Sequence, residues 1–150
     1  MGLVRARHNN ILHRLARASP TPREIKVLEQ VVPGDTKGLK PDLVVVDRAK
    51  AEAFVIDITV PFEGEESFAE AKKAKEDKYA HLKQILRGMV YRKVEVDGFV
   101  VGVLESWDPG NNRVIQKLGI GYTYAIMFRN LRCTEAIKAS YDIRREKDEE

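Results

Sequence analysis

Residues 40–60 read KPDLVVVDRAKAEAFVIDITV, which is two β-rich runs separated by a polar turn. The runs are Leu43 to Val46 and Ala53 to Val60, and the turn is Asp47 to Glu52. β-branched and aromatic residues favour strands, and a short polar segment between two such runs is typical of a hairpin. We therefore expect an antiparallel pair of strands here.

The register of this hairpin places two aspartates opposite each other. If the turn is centred between Ala49 and Lys50, Asp42 and Asp57 are partners, with Cβ atoms roughly 5 Å apart on one face. Like charges in that position repel, and an aspartate within an apolar strand loses its hydration. A bound divalent cation would offset both costs, because paired carboxylates are good ligands for Mg²⁺ or Mn²⁺.

Other roles for the two aspartates remain open. Asp42 could cap a loop after Pro41, and Asp57 could pair with a lysine. A register slip of one residue would place the two side chains on opposite faces. In the aligned register, the period of two puts four apolar residues on the face of the aspartates: Val44, Val46, Ala53 and Val55.

The segment after the hairpin predicts one long helix, from Ser67 to about Gly88. Its core-facing line has residues spaced three or four apart: Phe68, Ala71, Lys75, Lys78, Leu82, Ile85 and Met89. Each lysine in this line must extend to solvent or meet a negative charge. The carboxylate pair is the obvious partner, and an ammonium group there would stabilise charge developing on a phosphate or help orient water. Tyr79 would hydrogen-bond in the same site or pack.

The remaining segments complete an α/β pattern. A first helix is indicated by residues spaced three or four apart that form one face, namely Val4, His8, Ile11, Leu15 and Ala18. This helix is expected to end near Ser19-Pro20. Residues 24–32 favour a strand through Ile25, Val27 and Val31, although Thr21 to Glu24 resembles a helix capping box. Val94 to Leu104 predicts another strand, in which Asp97-Gly98 is typical of a tight turn or a bulge. Two helices are expected after it, over Asn111 to Leu118 and over about Tyr122 to Ser140.

Length and composition favour one α/β domain over residues 1–150, with 1–6 and 144–150 expected to fray. Hydrophobic residues make up 43% of the chain and charged residues 33%, which is ordinary for a globular protein. The single cysteine excludes an internal disulfide and a cysteine-based zinc site. No apolar run approaches the roughly 20 residues of a membrane span, and no secretory signal is visible.

Positive charge is concentrated at the beginning of the chain. The net charge is only +3, but residues 1–23 hold five arginines and no acidic residue: Arg5, Arg7, Arg14, Arg17 and Arg23. A basic segment of this kind favours a polyanionic partner. Two other interpretations stay open, a solvated helix face and an Arg-rich mitochondrial presequence.

The combined motifs resemble the PD-(D/E)XK nuclease superfamily. Lys40-Pro41-Asp42 is followed by Asp57 in the second strand and then by Lys78-Tyr79 on a helix. More narrowly, the chain resembles the restriction-like endonuclease domain of site-specific non-LTR retrotransposons of the R-two type. Arg7-His8-Asn9 matches the triplet that opens the first helix of that family, and Lys26 to Glu29 is compatible with its strand ending in Glu. The resemblance runs from about Arg7 to Ser140.

This resemblance implies a restriction-endonuclease-like core, a mixed central β-sheet flanked by α-helices. The implied activity is metal-dependent hydrolysis of DNA phosphodiesters, with Mg²⁺ or Mn²⁺ held by Asp42 and Asp57. Glu63, which follows the second strand, is a candidate further ligand. The superfamily usually has a lysine two residues after the second acid, and Thr59 stands at that position here. By the resemblance, a lysine of the following helix, Lys78 or Lys75, would take its place and act beside Tyr79.

The same resemblance implies partners and a location. DNA would be bound by the basic first helix and by the motif lysine, through Arg7, His8, Arg14, Arg17 and Lys40. A reverse transcriptase and a zinc knuckle would accompany the domain in a longer polypeptide, in the nucleus, with no membrane. From the residues alone, a lone histidine on an apolar helix face, such as His8, is more often a buried, hydrogen-bonded packing residue than a ligand.

Three other functions stay open at this point. The first is a DNA-binding module of the same fold whose site has decayed, which would bind DNA and not cut it. The second is a Holliday-junction-resolvase-like nuclease. The third is a small mitochondrial or ribosome-associated RNA-binding protein, which would prefer RNA and tolerate the loss of Asp57.

Overall fold

Four strands form one mixed sheet in the order β1-β2-β3-β4. The computed structural model describes residues 3–20, 23–61, 68–102 and 107–121. The strands are β1 Glu24–Leu28, β2 Leu43–Asp47, β3 Glu52–Thr59 and β4 Lys93–Val100. The helices are α1 Leu3–Ala18, α2 Phe68–Tyr79, α3 Leu82–Gly88 and α4 Gly110–Lys117. Within these residues, no helix has the length and apolar character that crossing a membrane requires.

The hairpin has the register predicted from the sequence. β2 and β3 pair antiparallel from Leu43↔Ile56 to Asp47↔Glu52, which places the turn centre between Ala49 and Lys50. The Asp47 Oδ1 atom accepts a hydrogen bond from the Lys50 N–H at 3.1 Å and fixes this turn. Continued past Leu43, the register brings Asp42 opposite Asp57, as expected.

The strand directions bring four chain segments together at one end of the sheet, which we call the site end. β1 pairs antiparallel with β2, and β4 pairs parallel with β3. The carboxyl ends of β1, β3 and β4 therefore lie beside the amino end of β2. Asp42 and Asp57 lie at this end, and so does Glu29, which directly follows β1.

Helices cover both faces of the sheet, so β2 is buried throughout, as is β3 except at its two terminal residues. One apolar cluster joins α1 and α4 to Leu43, Val45, Phe54 and Ile56. The opposite cluster joins α2 and α3 to Val44, Val46, Ala53 and Val55. This alternation is the period-two pattern expected from the sequence. Strands buried on both faces explain the continuous apolar runs.

The prediction of one long helix from Ser67 to Gly88 is wrong, because α2 ends at Tyr79 and α3 begins at Leu82. The His81 ring bonds to Asp35 Oδ1 at 3.1 Å, which fixes the break against the loop before β2. The Lys83 N–H bonds to the Ala80 carbonyl, a tight i→i+3 turn that separates the two helices. α3 ends at Gly88 as predicted.

Asp97-Gly98 forms neither a turn nor a bulge, which corrects that expectation. Pairing with β3 continues without interruption through Ile56↔Asp97 and Asp57↔Gly98. A Cβ atom on Gly98 would lie 3.0 Å from the Lys72 Cα atom and 3.2 Å from the Lys72 carbonyl oxygen. Glycine stands there because the backbone of α2 crosses β4 at this point.

The predicted outer elements are mostly confirmed. α1 ends at Ala18. β1 is a strand in which Val27 is buried and Ile25 is exposed. These two residues differ in burial because the pairing of β1 with β2 shifts between them. α4 ends before Gly119, whose φ of +79° suits a helix terminus. α1 begins at Leu3, within the segment 1–6 expected to fray. The helix expected over 122–140, the tail 144–150 and Glu63 lie outside the described residues.

We predict that Gly98→Ala destabilises the protein, because the added methyl group must displace the backbone of α2. The expected loss is about 1–3 kcal/mol of unfolding free energy, the usual cost of overpacking. Urea denaturation followed by circular dichroism measures it. Gly88→Ala is the matched control, since a Cβ atom there meets nothing within 4 Å. Equal stability of both variants would contradict the close approach of α2.

Candidate active site

Two buried aspartates are locked together at the site end of the sheet. Asp42 is 8% exposed and Asp57 is 3% exposed. The Asp42 N–H donates to Asp57 Oδ1 at 3.1 Å, and the Ile58 N–H donates to Asp42 Oδ2 at 2.7 Å. Each carboxylate is thus fixed by a backbone amide of the neighbouring strand. Two acidic groups are therefore held side by side in a nearly dry site.

Lys75 is the lysine that the structure places at this pair. Its Nζ atom lies 3.0 Å from Asp57 Oδ2, and its side chain is 31% exposed. Lys78, the other predicted lysine, is exposed, and its Nζ atom lies 5.3 Å above the Tyr79 ring. Asp57 therefore has both the lysine partner and the aspartate neighbour that the sequence left as separate possibilities.

Tyr79 links α2 to the chain that leads into the site. Its side chain is buried, and its hydroxyl donates to the Lys40 carbonyl at 3.1 Å. Burial, together with the charges of Asp57 and Asp42, raises the pKa of Tyr79. The phenol therefore stays protonated and acts as a donor. Its contact fixes the segment that carries Asp42.

His8 reaches the site from α1, on the opposite side of the sheet from α2. Its Nε2 atom lies 2.9 Å from Asp42 Oδ2, and its Nδ1 atom lies 3.2 Å from Asn9 Oδ1. The ring is half-buried. The sequence predicts that His8 binds DNA or packs on the helix face, whereas in the structure it contacts the first aspartate of the pair.

Glu29 is a member of the site that sequence analysis did not single out. It directly follows β1, and its N–H donates to the Asp42 carbonyl at 3.0 Å. Its φ of +51° is unusual for a residue with a side chain. One ligand atom each from His8, Glu29 and Asp42 all lie within 4.8 Å of one another. In the sequence, Glu29 is marked only as the Glu that ends a predicted strand. Placing Glu29 beside Asp42 would also require the register between β1 and β2.

The two aspartates have opposite electrostatic behaviour. Burial and the neighbouring charge of Asp42 raise the pKa of Asp57 to about 6, against the opposing effect of Lys75. Burial alone would raise the pKa of Asp42, but its hydrogen bonds with His8 and with the Ile58 N–H lower it below its ordinary value. Asp42 is therefore the firmly ionised member of the pair, and Asp57 is the readily protonated one.

The same contact changes the protonation of His8. Burial lowers the pKa of His8. The hydrogen bond with Asp42 and the charge of Asp42 raise this pKa by more than burial lowers it, so the pKa of His8 lies above its ordinary value. The site thus combines carboxylates, an imidazole and an ammonium group within a small volume. Clusters of this kind, with strongly perturbed pKa values, are typical of functional sites.

The remaining predicted site residues, which the sequence assigns to DNA binding, differ in how exposed they are. Arg7 is 3% exposed and Arg14 is half-buried, whereas Arg17 is exposed and its Nε atom donates to the His13 carbonyl. Lys40 is exposed, two residues before Asp42. Within the described residues, Lys40 and Lys78 are exposed cations on segments that build the site, and the exposed Arg5 pairs with Glu29, whereas Arg7 is buried.

No protein-family model matches the chain. No curated protein sequence matches it either. The site geometry and the sequence motifs are therefore the basis for any functional assignment.

We predict that the stability difference between wild type and Asp57→Asn depends on pH. The pKa of Asp57 rises on folding from 3.8 to about 6, so the folded protein holds this proton more tightly than the unfolded chain. The resulting stabilisation is complete below about pH 4 and is lost as the pH rises through about 6. Relative to the variant, wild type should lose up to roughly 3 kcal/mol between pH 4 and 7.

Urea denaturation at several pH values, in buffer containing EDTA, measures this difference. His8 and Asp42 are present in both proteins, so subtracting the two curves leaves the titration of Asp57 together with its coupling to Asp42. Parallel curves for the two proteins across this pH range would show that Asp57 titrates normally and is not strained by Asp42.

Proposed function

We propose that this protein is a metal-dependent endodeoxyribonuclease with a restriction-endonuclease-like core. The observation that carries the proposal is the buried pair of Asp42 and Asp57 with the Lys75 ammonium group 3.0 Å from Asp57. A mixed four-stranded sheet flanked by helices is compatible with such a core. The order of the motifs, from the Arg7 triplet to Lys78-Tyr79, supports the narrower assignment to the target-cleaving domain of a retrotransposon protein.

The donor set fits a hard divalent cation. Two carboxylates share a nearly dry site, and the charge of one raises the pKa of the other, so an added positive charge would relieve their repulsion. Asp42 and Asp57 would hold Mg²⁺ or Mn²⁺ through oxygen atoms, as these ions prefer. When bound, the ion supplies Lewis-acid stabilisation of a phosphate and acidifies water.

The chain's own residues supply charge and positioning. Lys75 contributes a fixed positive charge next to Asp57, which stabilises negative charge developing on a phosphate. It takes the place of the lysine that the superfamily usually has at position 59. Tyr79 is a positioning residue, since its hydroxyl fixes the Lys40 carbonyl and thereby the approach to Asp42. The backbone amides of Asp42 and Ile58 orient the two carboxylates.

Exposed cations beside the site support a polyanionic substrate. Lys40 and Lys78 are both exposed, and each adjoins a segment that builds the site. Contacts of this kind with phosphates give affinity that depends on salt and little on sequence. By the retrotransposon assignment, a reverse transcriptase and a zinc knuckle would deliver nuclear DNA to this site and choose the target.

We predict that the full chain nicks supercoiled plasmid with Mg²⁺ or Mn²⁺ and that Asp57→Asn reduces the rate at least about 100-fold, because the cation loses a carboxylate ligand. Lys75→Met should also reduce the rate by about 100-fold or more, the usual loss when one charge-stabilising group is removed. Lys73→Met is the matched control on the same helix, because the Lys73 side chain is exposed and pairs with Asp77, and its rate should stay within about threefold of wild type. DNA binding, measured by fluorescence anisotropy, should persist in Asp57→Asn.

The alternatives give different results in the same assay. Salt-sensitive DNA binding without cleavage in wild type would favour a DNA-binding module of this fold. A preference for branched DNA, with a dimeric protein, would favour a resolvase. Tighter binding of RNA than of DNA, unaffected by Asp57→Asn, would contradict the nuclease proposal.

A further inference from the structure

We propose that His8, Glu29 and Asp42 form a second cation site, selective for a divalent transition-metal ion such as Mn²⁺, Co²⁺ or Zn²⁺ over Mg²⁺. The site shares Asp42 with the aspartate pair but uses neither Asp57 nor Lys75. It does not depend on the proposed nuclease activity, because metal binding to these three residues can be measured directly.

The spacing of the three ligand atoms suits one ion. All three atoms lie within 4.8 Å of one another, and His8 Nε2 lies 2.9 Å from Asp42 Oδ2. Adjacent ligands of an octahedral ion with bonds of about 2.1 Å are separated by about 3 Å. The imidazole and the first carboxylate are therefore already placed as neighbouring ligands, and a side-chain rotation of the half-exposed Glu29 would bring its carboxylate in to complete one face.

The ligands come from three elements that are held in position. Glu29 is fixed by the bond from its N–H to the Asp42 carbonyl and by its left-handed backbone conformation. The His8 Nδ1–H group can donate a hydrogen bond to Asn9 Oδ1 at 3.2 Å, and in that tautomer a cation would replace the proton that Nε2 shares with Asp42. Asp42 is fixed by the Ile58 N–H. Binding an ion therefore needs movement of the Glu29 side chain but no change in the backbone that carries the three ligands.

The ligand chemistry determines which ion is bound. Mg²⁺ strongly prefers oxygen ligands, whereas Mn²⁺, Co²⁺ and Zn²⁺ accept an imidazole nitrogen. The ion pair between Glu29 and Arg5 is a weak competitor, because its atoms are 3.3 Å apart and the Arg5 side chain is 58% exposed. Arg5 can therefore move away and leave the Glu29 carboxylate to a cation.

The test is pulsed electron paramagnetic resonance of the full chain loaded with one equivalent of Mn²⁺, together with calorimetric titration of MnCl₂. Wild type should show coupling of the Mn²⁺ electron spin to a histidine nitrogen. His8→Gln should abolish the coupling and weaken Mn²⁺ binding at this site at least about tenfold, and Glu29→Gln should weaken it while keeping the fold, because Glu29 is half-exposed. Excess Mg²⁺ should not remove the nitrogen coupling.

Two control variants make the outcome specific. His13→Gln replaces an exposed histidine of the same helix and should leave the coupling unchanged. Asp57→Asn should also keep it, because Asp57 is not a ligand of this site. Absence of Mn²⁺ binding, binding without nitrogen coupling, or coupling that survives His8→Gln would each overturn the proposal. Mg²⁺-dependent cleavage in a protein without nitrogen coupling would overturn only this second site and leave the nuclease proposal intact.

Discussion

The burial of two neighbouring carboxylates, Asp42 and Asp57, is the constraint on which the rest of the structure depends. Burial and the neighbouring negative charge of Asp42 together raise the pKa of Asp57 to about 6. The fold offsets the cost with backbone amides from both strands, with Lys75 from one side of the sheet and with His8 from the other. A pair that needs so much support is poorly explained by stability alone, since removing one carboxylate would remove the repulsion.

Several residues that are distant in sequence hold the segments that surround this aspartate pair in position. Gly98 allows α2 to cross β4 closely, and Lys75 lies less than one turn beyond the crossing point on the same helix. Tyr79 holds the chain that enters β2 at Asp42. The bond between His81 and Asp35 ends α2 directly after Tyr79. The residues of the proposed catalytic site and of the second cation site all lie at the site end of the sheet.

The parts of the fold and of the site that depend on local pattern could be predicted from the sequence. The polar turn set the register of the hairpin, and that register alone brought Asp42 opposite Asp57. Tertiary contacts decided the rest. The choice of Lys75 over Lys78 depends on how α2 crosses the sheet at Gly98, and the position of Glu29 depends on the pairing of β1 with β2. Asp97-Gly98 resembled a turn because its glycine serves packing against α2, which local sequence does not reveal.

The most direct test of the central claim is anomalous diffraction from crystals of the protein soaked in Mn²⁺. If Asp42 and Asp57 form a cation site, a peak should lie about 2.0–2.4 Å from carboxylate oxygens of both residues. The same crystals soaked in buffer with EDTA should lack it. If saturating Mn²⁺ gives no peak in contact with both carboxylates and Asp57 remains bonded only to Lys75 and the Asp42 amide, the pair is structural and the nuclease assignment fails.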